Sequence, residues 1–219
     1  MNKYIDHTLL KATATQKDIE NICKEAIENK FASVCINPCN VAQAYNLLKD
    51  SEVKTCTVIG FPLGANTIET KVFETKDAIK NGAQEIDMVI NIAALKDGRL
   101  DYIEDEVSQI LEACATNAIL KVIIETCYLS DEEKINMCKI VDKVGANFIK
   151  TSTGFGTDGA TKEDIKLFKE TLSDKILIKA SGGIKNKQQA NEYINLGCSR
   201  LGTSNGVNIA NGVESISTY

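Results

Sequence analysis

The chain has a single histidine, His7, and its eight cysteines nowhere form a C-x-x-C pair. A zinc site built on the close pair Cys35 and Cys39 would find no second close pair and only that one imidazole. No metal or other cofactor is expected. Cys23, Cys35, Cys39, Cys56, Cys114, Cys127, Cys138 and Cys198 are scattered through apolar patterns. Most of them read as small buried hydrophobes kept reduced, since a chain this long needs no disulfide staples. Positive charge is also scarce: the formal net charge of -5 leaves no basic stripe for nucleic acid. No apolar run approaches membrane-spanning length. The opening residues Met1-Asn2-Lys3-Tyr4-Ile5-Asp6-His7 lack the apolar core of a signal peptide. The expected location is the cytoplasm, with neither membrane nor nucleic acid as partner. No linker or low-complexity tract divides the sequence, so residues 1–219 are expected to form one domain.

What the chain does have is an alternation of short β-branched runs with longer amphipathic ones. Thr15 and Asp18 resemble a capping box opening a helix to Asn29, with Ile19, Ile22, Cys23, Ala26 and Ile27 on one face. Further helices are predicted over 41–48, 67–80, 102–115, 131–144, 162–171 and 187–196, with Gly82, Gly145 and Gly197 as terminators. Between them lie strand-like runs around Ile5, Val34, Thr57, Asp87, Ile123, Lys150, Lys179 and Gly202. Eight βα units at this spacing predict an α/β fold, a single (β/α)8 TIM barrel. A doubly wound open sheet shares the local pattern and is the structural alternative.

Strand alternation then sorts the charges. Ile86, Met88 and Ile90 share one face and leave Asp87 on the other. Lys150 lies with Phe148, Lys179 with Leu177 and Ser181, Lys121 with Ile123 and Glu125, and Asp6 with Tyr4 and Thr8. If helices cover the apolar faces, Asp6, Asp87, Lys121, Lys150 and Lys179 point into the barrel. Buried charge of that kind is expensive unless paired, and it clusters at functional sites. Two lysines on neighbouring strands have a specific use. A like charge and partial desolvation disfavour the ammonium form, and a neutral amine attacks a carbonyl to form a Schiff base. A carboxylate such as Asp87 moves the protons. Which lysine attacks is left open by the physics.

Small, glycine-bearing turns follow the sixth, seventh and eighth strands: Thr151-Ser152-Thr153-Gly154, Ser181-Gly182-Gly183 and Gly202-Thr203-Ser204. Barrel enzymes often hold phosphate in the loops after strands seven and eight. On residues alone, another phosphosugar barrel enzyme or a non-catalytic metabolite-binding protein fits the same pattern.

Longer stretches carry a resemblance. Phe148-Ile149-Lys150-Thr151-Ser152-Thr153-Gly154-Phe155 and Ile178-Lys179-Ala180-Ser181-Gly182-Gly183-Ile184 resemble the deoxyribose-phosphate aldolase family. The likeness extends through Ile5-Asp6-His7-Thr8-Leu9-Leu10, Thr57-Val58-Ile59-Gly60-Phe61-Pro62-Leu63-Gly64, Glu85-Ile86-Asp87-Met88-Val89-Ile90-Asn91 and Arg200-Leu201-Gly202-Thr203-Ser204. It covers essentially the whole chain and is similar to the shorter bacterial form. The resemblance implies a cofactor-independent class I aldolase of deoxyribonucleoside catabolism. Such an enzyme cleaves 2-deoxy-D-ribose 5-phosphate reversibly to D-glyceraldehyde 3-phosphate and acetaldehyde. By position, Lys150 would form the Schiff base, Lys179 would perturb it, Asp87 with a water would relay protons, and Asp6 would join their hydrogen bonds. Gly154, Gly182, Gly183, Gly202 and Ser204 match phosphate-binding positions, and Asn205 stands where a second serine is common. Phe155 stands where some longer members carry a lysine. Family members are often dimers, so a homodimer is implied.

Composition alone would fray the tail, about residues 206–219. The family often ends in a tyrosine tied to proton transfer at the substrate's C2. The expectation is therefore that the tail covers the barrel mouth and brings Tyr219 to the site. Cys35 shares a face with Ser33 and Asn37, and reads equally as a pocket residue and as a packed thiol.

Overall fold

A computed structural model describes residues 1–213. Eight parallel strands close into a barrel in chain order: β1 (Ile5–Leu9), β2 (Ser33–Ile36), β3 (Lys54–Ile59), β4 (Glu85–Val89), β5 (Ile119–Ile123), β6 (Phe148–Lys150), β7 (Leu177–Ser181) and β8 (Arg200–Thr203). The open-sheet alternative is thereby removed, because β1 pairs with β8, Asp6 lying opposite Gly202.

The helices are α1 (Gln16–Asn29), α2 (Val41–Leu48), α3 (Ile68–Lys80), α4 (Ile92–Lys96), α5 (Leu100–Cys114), α6 (Asp131–Val144), α7 (Lys162–Thr171), α8 (Lys187–Asn195) and α9 (Gly206–Asn211). Their ends follow local chemistry. Thr15 and Asp18 form the expected capping box at α1, and Ser130 with Glu133 forms another at α6. Gly145 ends α6 in the left-handed region, at φ 79°. Two helices were not foreseen. Helix α4 starts where the Asn91 side chain accepts the Ala94 N–H. Helix α9 takes up residues 206–211, which the sequence assigns to the tail. Residues 214–219, including Tyr219, lie outside the described residues. Among the described residues no helix is long and apolar enough to cross a membrane.

The core has two layers of different chemistry. Outward faces of the strands, such as Ile86, Met88, Val122, Ile149, Ile178 and Leu201, join Val107, Ile110, Val141, Ile165 and Phe168 in one apolar cluster. Each such side chain contributes about 1.5–3 kcal/mol on burial. The inward faces hold the buried charges instead. A second charged pair lies outside the barrel. Lys71 on α3 meets Glu106 on α5 at 2.6 Å, both side chains fully buried. Lys71 also donates to the Val89 carbonyl at 2.7 Å, and Glu106 accepts the Asn91 N–H at 2.8 Å.

Candidate active site

Strand register brings the inward side chains to one level. Asp87 on β4 lies opposite Lys121 on β5, and Lys150 on β6 lies opposite Lys179 on β7, which lies opposite Arg200 on β8. Lys150 and Lys179 both place Nζ 2.7 Å from the same oxygen, Asp87 Oδ2. Lys179 also reaches Asp6 Oδ2 at 2.5 Å. Lys121 contacts Asp87 Oδ1 at 2.8 Å, Glu85 at 2.7 Å and Asp6 at 3.9 Å. Arg200 bridges Asp6 and Glu85 at 2.5 and 2.6 Å, and Ser33 donates to Asp6 at 2.7 Å.

Four cations thus meet three carboxylates in this network, and one positive charge is in excess. Burial disfavours every charge here, but the attractions outweigh it. Asp87 is held well below the ordinary carboxylate range against its burial by Lys121, Lys150 and Lys179. Asp6 is lowered against its burial by Lys179, Arg200 and Lys121. Burial works against the Lys179 ammonium too, yet Asp6 and Asp87 hold its pKa above that of an ordinary lysine. Lys121 is raised further by Asp87, Cys56, Glu85 and Asp6, again against burial. Lys150 differs in position: it contacts Asp87 alone among the network's carboxylates and keeps 3% of its surface exposed, where Lys121 and Lys179 keep none.

Asp6, Asp87, Lys150 and Lys179 are therefore brought together as the sequence predicts. Arg200, Glu85, Ser33 and Cys56 belong to the same cluster and were not singled out. Arg200 alternates with Leu201 onto the face of Gly202, and Glu85 shares the face of Asp87, so the signal was present. The Cys35 and Cys56 thiols lie with an Asp87 oxygen within 4.8 Å of one another. Cys35 thus faces the interior beside the charges. A hydrogen bond with Cys56 pulls its pKa below the ordinary thiol value, while burial pushes Cys56 well above it. These atoms have the donor types of a metal site, and the Lys121 ammonium already contacts two of the three residues, at 3.4 Å from Cys56 Sγ and 2.8 Å from Asp87 Oδ1.

The glycine positions separate into two kinds. Gly154, Gly182 and Gly183 sit in the turns after β6 and β7 with φ of 85°, 81° and 77°. Gly202 lies within β8, where a Cβ would come 2.9 Å from Ser181 Cβ and 3.2 Å from Lys179 Cε. Its missing side chain makes room for the Lys179 stem, a packing reason independent of any anion. Ser204 is exposed and Asn205 half-buried. Both line an open cleft of about 480 Å³ with His7, Thr8, Lys11 and Asp18 beside the ends of β1 and β8. At the mouth, Phe155 meets Phe61 edge-on at 5.3 Å between ring centroids.

Buried lysines converging on shared carboxylates inside a barrel suit Schiff-base chemistry, and comparison with known proteins agrees. The model of a family described as DeoC/LacD family aldolase matches residues 1–209. The deoxyribose-phosphate aldolase of Treponema denticola is 56% identical over 213 residues, which cover 97% of this chain and 99% of that protein. A solved structure described as QR15, an aldolase, has a TM-score of 0.92 at 41% identity, covering 96% of this chain and 94% of its own. The structure of deoxyribose phosphate aldolase from Aeropyrum pernix, described as tetrameric, has a TM-score of 0.89 at 30% identity, over 96% and 89% of the two chains. By sequence along nearly its whole length and by its barrel, this chain belongs to the DeoC/LacD aldolase family.

Proposed function

We propose that this protein is a deoxyribose-phosphate aldolase that cleaves 2-deoxy-D-ribose 5-phosphate reversibly through a Schiff base on Lys150. The observation that carries the assignment to Lys150 is the charge excess around Asp87. Two ammonium groups share one carboxylate oxygen, and like charges this close favour loss of a proton from one of them. Lys179 is enclosed by Asp6 and Asp87 and stays cationic. Lys150, with the fewest carboxylate partners and the residual exposure, is the lysine that a substrate carbonyl reaches.

The chemistry then follows in balanced steps. The Lys150 amine adds to the aldehyde carbon C1, and the carbinolamine loses water to give an iminium. Asp87, through a water, carries the protons of both steps. A base removes the proton of the C3 hydroxyl, the C2–C3 bond breaks, and its electron pair moves to C2 as the nitrogen accepts the iminium electrons. D-Glyceraldehyde 3-phosphate leaves. The enamine is protonated at C2, and hydrolysis releases acetaldehyde and the free lysine. Lys179 supplies fixed positive charge, and Asp6 holds Lys179 and Arg200 in place. The substrate phosphate lies over the turns carrying Gly154, Gly182 and Gly183, with Ser204 and Asn205 on the β8 side. Tyr219 serves the proton transfer at C2, and the chain acts as a single barrel domain. The enzyme works in the cytoplasm, in deoxyribonucleoside breakdown, as a homodimer or a larger assembly such as that of the Aeropyrum pernix protein.

Reduction with borohydride in the presence of acetaldehyde, followed by peptide mapping, tests the reading. The expected outcome is one ethyl adduct at Lys150. An adduct at Lys179, or none in a protein that cleaves the substrate, would remove Lys150 from the role.

A further inference from the structure

Glu125 follows β5 and is almost completely buried. Its backbone is left-handed, with φ 54° and ψ 67°, a conformation that costs a non-glycine residue about 1–2 kcal/mol. Glycine would sit there without that cost, so the strain is offset by what the carboxylate does. One oxygen accepts the Thr153 N–H at 3.0 Å, and the other accepts the Thr153 hydroxyl. Thr153 Oγ1 in turn accepts the Phe155 N–H at 3.0 Å. The neighbouring residue adds a backbone link, Thr126 N–H to the Thr151 carbonyl at 3.0 Å. Gly156 closes the contact, since a Cβ there would lie 2.8 Å from Cys127 Sγ and 3.1 Å from Glu125 Cδ.

The turn that begins directly after Lys150 is thus fastened from 151 to 156 onto residues 125–127. The N–H groups of Thr153 and Phe155 are drawn towards the carboxylate side. Gly154 is left at the exposed apex between them, with open space where a Cβ would lie. A carboxylate in that position fixes the shape of the turn rather than binding an anion itself.

We propose that Glu125 is the positioning residue that sets the Thr153–Phe155 turn, and through it the preference for a phosphorylated over an unphosphorylated sugar. The inference rests on the aldolase reading above. Glu125→Gly removes the carboxylate and the backbone strain together, and Glu125→Gln keeps the shape with a weaker clamp. Both are assayed for kcat and KM on 2-deoxyribose 5-phosphate and on unphosphorylated 2-deoxyribose, with acetaldehyde trapping at Lys150 in parallel. In Glu125→Gly, kcat/KM for the phosphorylated sugar falls about 10- to 100-fold, mainly through KM, as displacing a positioning group by about 1 Å does. The unphosphorylated sugar changes less than about threefold and trapping persists, since neither uses the turn. Glu125→Gln falls between this variant and the wild type. An equal loss on both sugars, or an unchanged ratio, overturns the proposal. Absence of trapping in the wild type would count instead against the Schiff-base reading itself.

Discussion

Two clusters of buried charge lie inside and outside the barrel, and their pKa shifts run in opposite directions. Outside the barrel, Lys71 and Glu106 form a matched pair, and further hydrogen bonds go to backbone at Val89 and Asn91. There burial wins over the attraction of Glu106 and the weaker one of Glu74: Lys71 is lowered and Glu106 raised, each towards its neutral form. Inside the barrel, Asp6 and Asp87 are lowered and Lys121 and Lys179 raised, each towards its charged form. Burial is at least as complete there, so the difference lies in the number of opposite charges that share each oxygen. A matched pair tethers α3 and α5 to the end of β4. An unmatched network leaves one cation in excess, which is a condition for chemistry.

The largest expected effect separates the two roles. Lys150→Met should lower kcat by at least about 10⁴-fold, as loss of a covalent nucleophile does. The same change leaves three cations facing three carboxylates, so stability should stay within about 1 kcal/mol of the wild type in urea unfolding. A large loss of stability would mean that the interior charges are balanced after all. Lys71→Met tests the opposite case. It strands the Glu106 carboxylate and should cost about 3–5 kcal/mol in the same measurement, with much of it regained when Glu106→Leu is added. A double variant no more stable than the single one would remove the matched-pair account.

The smallest effect is in acid. The folded pKa values of Asp6 and Asp87 lie below the unfolded value of about 3.9, so their contribution is complete above that pH. It is lost as pH falls through their lower folded values. Glu106, with its raised pKa, takes up its proton at higher pH and gains rather than loses by it. Melting temperature measured below about pH 4 should therefore fall steeply in the wild type and less steeply in Asp6→Asn. Equal slopes would place the acid sensitivity elsewhere.

The inner cluster was legible in the sequence where a charge interrupts strict alternation. Asp87 stands out between Ile86 and Met88, and Lys179 between Ile178 and Ala180. Arg200 escaped notice because β8 is only four residues long and its inward partner is a glycine, so its alternation, though present, is short and unmarked by a second charge. Lys71 was missed for a different reason. Helical charges read as solvent-facing, yet Lys71 lies on the buried stripe of Ile68, Thr75 and Ala78, and that periodicity was available. Glu125 carries no sequence signal for its left-handed backbone, which glycine or asparagine would have announced. The turn glycines were recognised as a group, but packing under Lys179 depends on three-dimensional closeness that spacing does not encode.

Barrel closure has a consequence for how the enzyme comes into being. Asp6 is near the start of the chain and its partner Arg200 near the end, and no shorter route joins β1 to β8. During synthesis, Asp87, Lys121 and Lys150 emerge well before Lys179 and Arg200. A nascent chain therefore carries Lys150 and Asp87 before Lys179 and Arg200 exist to complete the network, and contacts of such long sequence separation form late. Lys150 comes into its complete charged surroundings only once the last strand has been added, so the network is finished by the completion of its own fold.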